Sequence, residues 1–387
     1  MEYKEYELGE LLYYEQPTPY IVESTDYNDA YETPVLTAGK SFILGYTDEK
    51  EGIYDQLPVI IFDDFTTASQ YVNFKFKVKS SAMKILTPVT ELVLPKYIYY
   101  RIQIIQFDHS THKRYWIQQY SKIRVSIPPI PEQECIVARI EELFSQLDAG
   151  VETLKKTKAQ LVVYRQAVLK EAFEGRLTAS GPEKIVRLGD YIETPRYGTS
   201  KKCSYDDGRD RTAVYRIPNI EHKNGRISHD DIKYAQFTES ELDGIRLQQG
   251  DILIIRSNGS VSLVGRAAMV CDADITGTFA GYLMRLRISE PETLLPKFLL
   301  LFLQSHQARI YIENKAKSTS GVHNINSTEI SDLQIPLYDP DTQYAIIEAI
   351  ESRLSVCDSI EHTVDTALQQ AEAMRQSILK DAFEGKL

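Results

Sequence analysis

The chain has 387 residues, 44 Lys and Arg against 55 Asp and Glu, a net charge of −11 and 43% hydrophobic residues. That length exceeds one ordinary core, and that balance is typical of a globular protein. The acidic excess excludes a uniformly basic nucleic-acid binder, because phosphate contacts need Lys and Arg, so any such surface has to be local. The most apolar run, FLLLFL at 298–303, is too short to cross a bilayer, and the opening MEYKEYELGELLYYEQ lacks a signal-peptide pattern. Cys135, Cys203, Cys271 and Cys357 form no CxxC pair, which points to reduced thiols in the cytoplasm and away from a zinc site.

In chain order, residues 1–126 mix short β-like runs such as VIIF at 59–62 with turns. The stretch NFKFKVKSSAMK at 73–84 alternates Phe74, Phe76 and Val78 with Lys75, Lys77 and Lys79. This predicts a strand with one apolar face and one lysine row. With Lys40 and Lys84, these lysines are candidate nucleic-acid contacts; edge-strand protection against aggregation is the other reading of the row. LPKY at 94–97 opens an apolar helix, since proline in a first turn costs no hydrogen bond. Pro128, Pro129 and Pro131 stop any helix running on from it.

A long helix follows. Ile140, Leu147, Leu154, Leu161 and Val168 recur every seven residues, with Phe144 and Val151 between them, which is the pattern of a coiled-coil seam. Lys158 and Arg165 interrupt it. The helix is about 60 Å long at about 1.5 Å per residue. It ends in LKEAFEGRL, where Gly175 is the expected terminator.

The next segment, about 185–333, again holds β-like runs, DILII at 251–255 and YLMRLRI at 282–288. Residues 195–216 carry Arg196, Lys201, Lys202, Arg209, Arg211 and Arg216 among Tyr197, Tyr205 and Tyr215, with Thr199, Ser200 and, just beyond, Asn219. Arg256, Ser257, Asn258 and Ser260 follow a strand, and Arg266 lies close by. The polar loop at 315–327 holds Lys315, Lys317, Ser318, Ser320, His323 and Asn324. Arg and Lys pair with guanine edges, Asn with adenine, and hydroxyls with phosphate, so all of these are candidate DNA contacts. The alternative for the arginine run is a solvated loop. A second heptad follows at Ile350, Cys357, Val364, Ala371 and Ile378, with Leu354 and Leu368 between and Glu361 and Arg375 as exceptions. The sequence ends in LKDAFEGKL.

The chain is therefore written twice. LKEAFEGRL and LKDAFEGKL agree at seven of nine positions, 210 residues apart, and Gln133 and Asp148 fall on Gln343 and Asp358 at the same offset. IPPIP matches IPLYDP at offset 208, LPKY matches LPKF at 201, and YELGE matches VRLGD at 180. A period this long is a duplication whose second copy carries insertions, not a solenoid. If the helices pair along their seams, the simplest return path makes them antiparallel. Each tail, Ala172-Phe173 or Ala382-Phe383, then packs near the other copy's domain. Two domains on a rigid rod would read two different half-sites separated by a fixed spacer.

No catalytic constellation is visible. SNGSVSLVG at 257–265 has the glycines of a phosphate loop but not its lysine, His109 and His112 are isolated, and Asp63-Asp64 lack a nuclease partner lysine. IPPIP is not the Pro-Pro-aromatic loop of an amino-methyltransferase.

The helix entry IPPIPEQECIVARIEELFSQLD, the two endings, and GDILIIRSNGSVSLVGRAAMV closely resemble the specificity subunits of type I restriction–modification systems, over essentially the whole chain. PVLTAGKSFILGYTDEKEGIY and YRIPNIEHKNGRIS resemble two different varieties of target-recognition domain. The second helix entry, IPLYDPDTQYAI, departs from the IP-x-x-EQ pattern. The resemblance implies an α+β fold: two pseudo-two-fold-related α/β target-recognition domains (1–130 and 179–336) separated by two long helices (131–178 and 337–387) that form an antiparallel coiled coil. It implies a non-catalytic subunit with neither catalytic residues nor metal, which reads double-stranded DNA as an asymmetric bipartite target. Its partners would be two methyltransferase subunits carrying S-adenosylmethionine and restriction subunits using Mg and ATP, in the cytoplasm. The competing reading is a coiled-coil scaffold with two domains that bind ligands other than DNA.

Overall fold

The structure is a computed structural model that describes residues 3–39, 41–107, 114–176, 181–208, 210–221, 223–319 and 321–387, with the side chains of 317–319 excluded. It divides into two units, Met1–Lys155 with Asp365–Leu387, and Lys156–Val364.

The first unit holds a four-stranded antiparallel sheet in the order Leu12–Glu15, Met83–Pro88, Val59–Asp63, Ser69–Val72. A three-stranded sheet (Ile43–Thr47, Thr33–Leu36, Lys77–Val78) has its last pair parallel, and Lys4–Glu7 pairs with Arg124–Ile127. The second unit repeats each of these. Its four-stranded sheet runs Arg196–Tyr197, Leu283–Leu286, Ile252–Ile255, Ala267–Met269. Its three-stranded sheet is Lys233–Gln236, Arg211–Tyr215, Thr278–Phe279, again with a parallel last pair. Lys184–Arg187 pairs with Gln334–Leu337. The second unit adds a small ribbon of Ser257–Asn258, Val322–Asn324 and Lys317–Thr319 and a pair of short strands, Ile220–Glu221 with Arg226–Ile227. These additions fall where the repeat offset grows.

Proline opens the helices Pro95–Gln103 and Pro296–Leu303 at equivalent places. One buried glutamine holds each entry. Gln133 Oε1 accepts from Leu94 N at 2.8 Å, and its Nε2 donates to Leu92 O at 3.1 Å and Pro128 O at 2.9 Å. Gln343 does the same with Leu295 N at 2.9 Å, Thr293 O at 2.8 Å and Tyr338 O at 2.8 Å. The irregular second entry thus keeps the first one's bonds, because two of the three partners are backbone carbonyls, which Tyr338 supplies as well as Pro128.

The long helices are Ile130–Phe173 and Pro340–Phe383. Every expected seam residue is buried or half-buried; Ile140, Leu161, Val168, Ile350, Cys357, Val364 and Ala371 are buried, and Leu147, Leu154 and Ile378 half-buried. The pairing is antiparallel within each unit. In the first, Phe144 clusters with Leu379 and Ala382, and Arg375 bonds Asp148. In the second, Arg165 Nη2 bonds Asp358 at 2.7 Å and Glu361 at 3.0 Å. The polar breaks at Arg165, Glu361 and Arg375 are therefore ion pairs.

The helix tails land as the repeat predicts. Phe173 packs edge-on against Phe298 and Phe302, at centroid distances of 5.3 and 5.2 Å. Phe383 packs on Tyr97 at 5.2 Å. Gly175 and Gly385 end the helices with φ of 72° and 69°, a left-handed conformation that glycine adopts without strain.

Candidate nucleic-acid interface

In the second unit the buried central strand Ile252–Ile255 delivers Arg256 at its C-terminal end, where its N–H bonds Tyr282 O and its carbonyl accepts from Ile325 N, both at 2.9 Å. The Arg256 guanidinium lies 4.3 Å from the Tyr197 ring centroid and donates through Nη1 to Gly281 O at 3.1 Å. The Tyr197 hydroxyl in turn accepts from Ser327 N at 3.0 Å. Gly198 sits so close to the neighbouring chain that a Cβ would meet Phe279 O at 2.2 Å. This glycine lets Thr199 lie against residues 279–281.

Thr199, Ser200, Lys201, Arg216, Arg256 and Ser257 line one cleft of about 590 Å³. Residues far apart in the sequence thus meet in one place. Lys201 Nζ bonds Glu241 at 2.7 Å and Gln236 O at 2.8 Å. That hydrogen bond, with help from the Thr238 backbone, holds the Glu241 carboxyl down to about 2. Arg216 Nη2 bonds Asp231 Oδ2 at 2.9 Å. The Tyr205 hydroxyl and Arg216 hold Asp231 below the ordinary aspartate range. Lys233 and Tyr282 also line the cleft but were not among the sequence candidates. Each stands alone among neighbours of other types, so no local run marks them.

The remaining candidates scatter. Arg196, Lys202, Ser260 and Lys315 are exposed. Asn258, His323 and Asn324 sit on the added ribbon, where His323 Nδ1 is 3.1 Å from Ala316 O. Lys317 and Ser318 lie on the same ribbon. Arg266 bonds Ser262 O at 3.1 Å and faces a different groove beside Lys223 and Glu361. Lys40, Arg209, His109, His112 and Ser320 lie outside the described residues.

Three candidates are corrected. Asn219 is fully buried and braces a turn: its Oδ1 accepts from Arg216 N at 2.8 Å, and its Nδ2 donates to Ser228 O and Asp230 O. Lys84 is fully buried, donating to Ser81 O at 2.7 Å and Gln16 Oε1 at 3.0 Å, with Asp64 3.7 Å away. Lys77 is 4% exposed and pairs with Glu49 at 2.7 Å. The expected lysine row therefore does not form. Only Lys77–Val78 pair as a strand there, and Phe74, expected on an apolar inner face, is exposed. Lys75 and Lys79 remain exposed, Lys75 with Asp55 at 3.7 Å. Asp64 is buried as well and accepts from Trp116 N at 2.8 Å beside Lys84.

A duplicated α+β fold with two long helices is the fold of type I restriction–modification specificity subunits. The chain aligns over its whole length with the HsdS subunit of Thermoanaerobacter tengcongensis, covering 97% of it at a TM-score of 0.52 and 16% identity. It aligns with a chain from a structural study of complex assembly and conformational transition of the type I R-M system at a TM-score of 0.72 and 16% identity, covering 98% of that chain.

By sequence, its curated homologues are specificity subunits of type I restriction enzymes, as the helix motifs led one to expect. It is 47% identical over 174 residues to the EcoR124I/EcoR124II specificity subunit of Escherichia coli, across 42% of this chain and 43% of that one. It is 29% identical over 277 residues to the EcoKI specificity subunit of Escherichia coli strain K12, and 28% over 276 to the StySPI specificity subunit of Salmonella potsdam, in both cases across 69% of this chain and 58% of the relative. The chain thus spans about half the length of the curated relatives it matches. No protein-family model matches it. No described helix is long and apolar enough to cross a membrane.

Proposed function

We propose that this chain is the sequence-recognition subunit of a type I restriction–modification complex. In this reading residues 1–130 and 179–336 each read one half of an asymmetric, split DNA target. The long helices, 131–178 and 337–387, fix the unread spacer and carry the partners. The observation that carries it is the duplication, one constellation of sheet, proline-opened helix and buried glutamine built twice, in a homologue of specificity subunits. The chain itself performs no catalysis. Two methyltransferase subunits supply S-adenosylmethionine and methylate adenine, and restriction subunits supply Mg- and ATP-dependent cleavage. Exposed apolar residues on the helices support a docking role: Val162 is 64% exposed, Val163 70% and Val356 57%.

The test is fluorescence anisotropy of the full chain, purified with its methyltransferase subunits, on labelled duplexes across a salt series. The reading predicts tight binding to one split sequence and weaker, salt-dependent binding to all others. A coiled-coil scaffold with non-DNA ligands predicts no duplex affinity at any salt concentration.

A further inference from the structure

We infer that the cleft beneath Arg256 grips a backbone phosphodiester of the DNA, so that it anchors the second domain without reading its bases. The inference rests on the DNA-recognition reading and adds to it the chemical group bound.

The charge count leaves the cleft positive, as an anion site requires. Of the four cations lining the cleft, Lys201 is matched by Glu241 and Arg216 by Asp231. Lys233 and Arg256 have no carboxylate partner among the described residues; they lie over the rings of Tyr205 and Tyr197 at 4.6 and 4.3 Å. Hydrogen-bonding capacity is also left over. Lys233 has no hydrogen-bond acceptor among the described residues, and Ser200 and Ser257 line the same space. A phosphodiester brings one charge and two free acceptor oxygens to such donors.

Shape separates phosphate from base. Base edges lie at the floor of a groove about 8.5 Å deep, so a reader must protrude into it. Phosphates stand out from the duplex and fit a concavity. The cleft is concave and no Asn or Gln lines it, so it lacks the side chains that pair with adenine, and the guanidinium groups that could pair with guanine are already held, Arg216 by Asp231 and Arg256 by Gly281 O and the Tyr197 ring. The added ribbon, which carries Asn258 and adjoins the cleft through Ser257, is left for base reading.

Cys203 lines the same cleft and reports on it. Burial pushes its thiol up, while Arg216 and Lys233 counter that. The experiment is iodoacetamide alkylation of the full chain in complex with its methyltransferase subunits, read by mass spectrometry, with exposed Cys135 and Cys271 as internal references. Target duplex and a duplex lacking the target are each added at concentrations where anisotropy shows binding. Protection of Cys203 by at least fivefold with both duplexes is expected. Protection by the target alone, or by neither while both are bound, overturns the phosphate assignment. If the wild-type complex binds no duplex at all, it is the recognition reading that fails.

Lys233→Gln gives a second readout. It should weaken target and non-target binding by the same factor, about three- to tenfold, and lower the salt slope by about 1. A changed ratio of target to non-target affinity would instead make Lys233 a base reader.

Discussion

Arg165 of the first long helix donates to Asp358 of the second at 2.7 Å, and its counterpart 210 positions later, Arg375, donates to Asp148. The two pairs are one interaction with the partners exchanged. A duplicated helix packed antiparallel on its own copy meets each of its contacts twice. The arginines that break the heptad therefore pair across the two helices at equivalent places. A double-mutant cycle on Arg165 and Asp358 should give a coupling of about 0.5–1 kcal/mol, small because Asp358 is 56% exposed. Urea denaturation of the single and double alanine variants measures it. The Arg375–Asp148 cycle should give a similar value.

Acid should loosen the same place. Lys223 and then Arg165 hold Glu361 below the ordinary glutamate range. A carboxyl whose folded pKa is depressed stabilises the fold fully above its unfolded value, about 4.3, and loses that contribution as pH falls through the folded value. Glu361→Gln should lower stability at neutral pH and flatten the acid limb of the stability curve below pH of about 4. Denaturation midpoints measured from pH 7 downward check the sign.

Gln133 and Gln343 should be among the costliest polar positions to lose. Each is fully buried with three hydrogen bonds. Alanine strands a backbone N–H and two carbonyls, which predicts a loss of about 3 kcal/mol at either site by urea unfolding. Glutamate keeps the acceptor, loses both donations and buries a charge, so it should be at least as damaging.

Lys84 and Lys75 should behave oppositely, although both came from one lysine-rich stretch. Lys84→Ala leaves Asp64 buried without its cation and should cost about 3–5 kcal/mol. Lys75→Ala removes one exposed cation and should leave stability within about 0.5 kcal/mol. Thermal denaturation distinguishes them.

In the second domain, Arg256→Ala should leave the fold intact and weaken binding to target and non-target duplexes alike, by about three- to tenfold, and Lys202→Ala should also weaken it. Anisotropy alongside circular dichroism checks both. Unchanged affinity in the two variants would move the interface elsewhere.

The long helices, their endings and the proline-opened helices were legible in the sequence, because heptads and duplicated motifs are local signals. The tail docking of Phe173 and Phe383 followed from the repeat alone. The lysine row was misread because alternation shows which residues share a strand face but not what covers that face. Glu49 reaches over Lys77, and Asp64 with Gln16 encloses Lys84. Asn219 was misread for a similar reason: a polar residue in a loop is as often a brace for turn carbonyls as a ligand contact. The cleft itself was half legible. Thr199 to Lys201 and Arg256-Ser257 stood out, but Lys233 and Tyr282 join them only through sheet pairing.

Methylation-sensitive sequencing of the host genome, with the gene present and deleted and its methyltransferase partner expressed in both, tests the recognition role most directly. The expected result is an adenine-methylated motif, split by a fixed spacer and different in its two halves, that vanishes on deletion. An unchanged set of methylated motifs would contradict it.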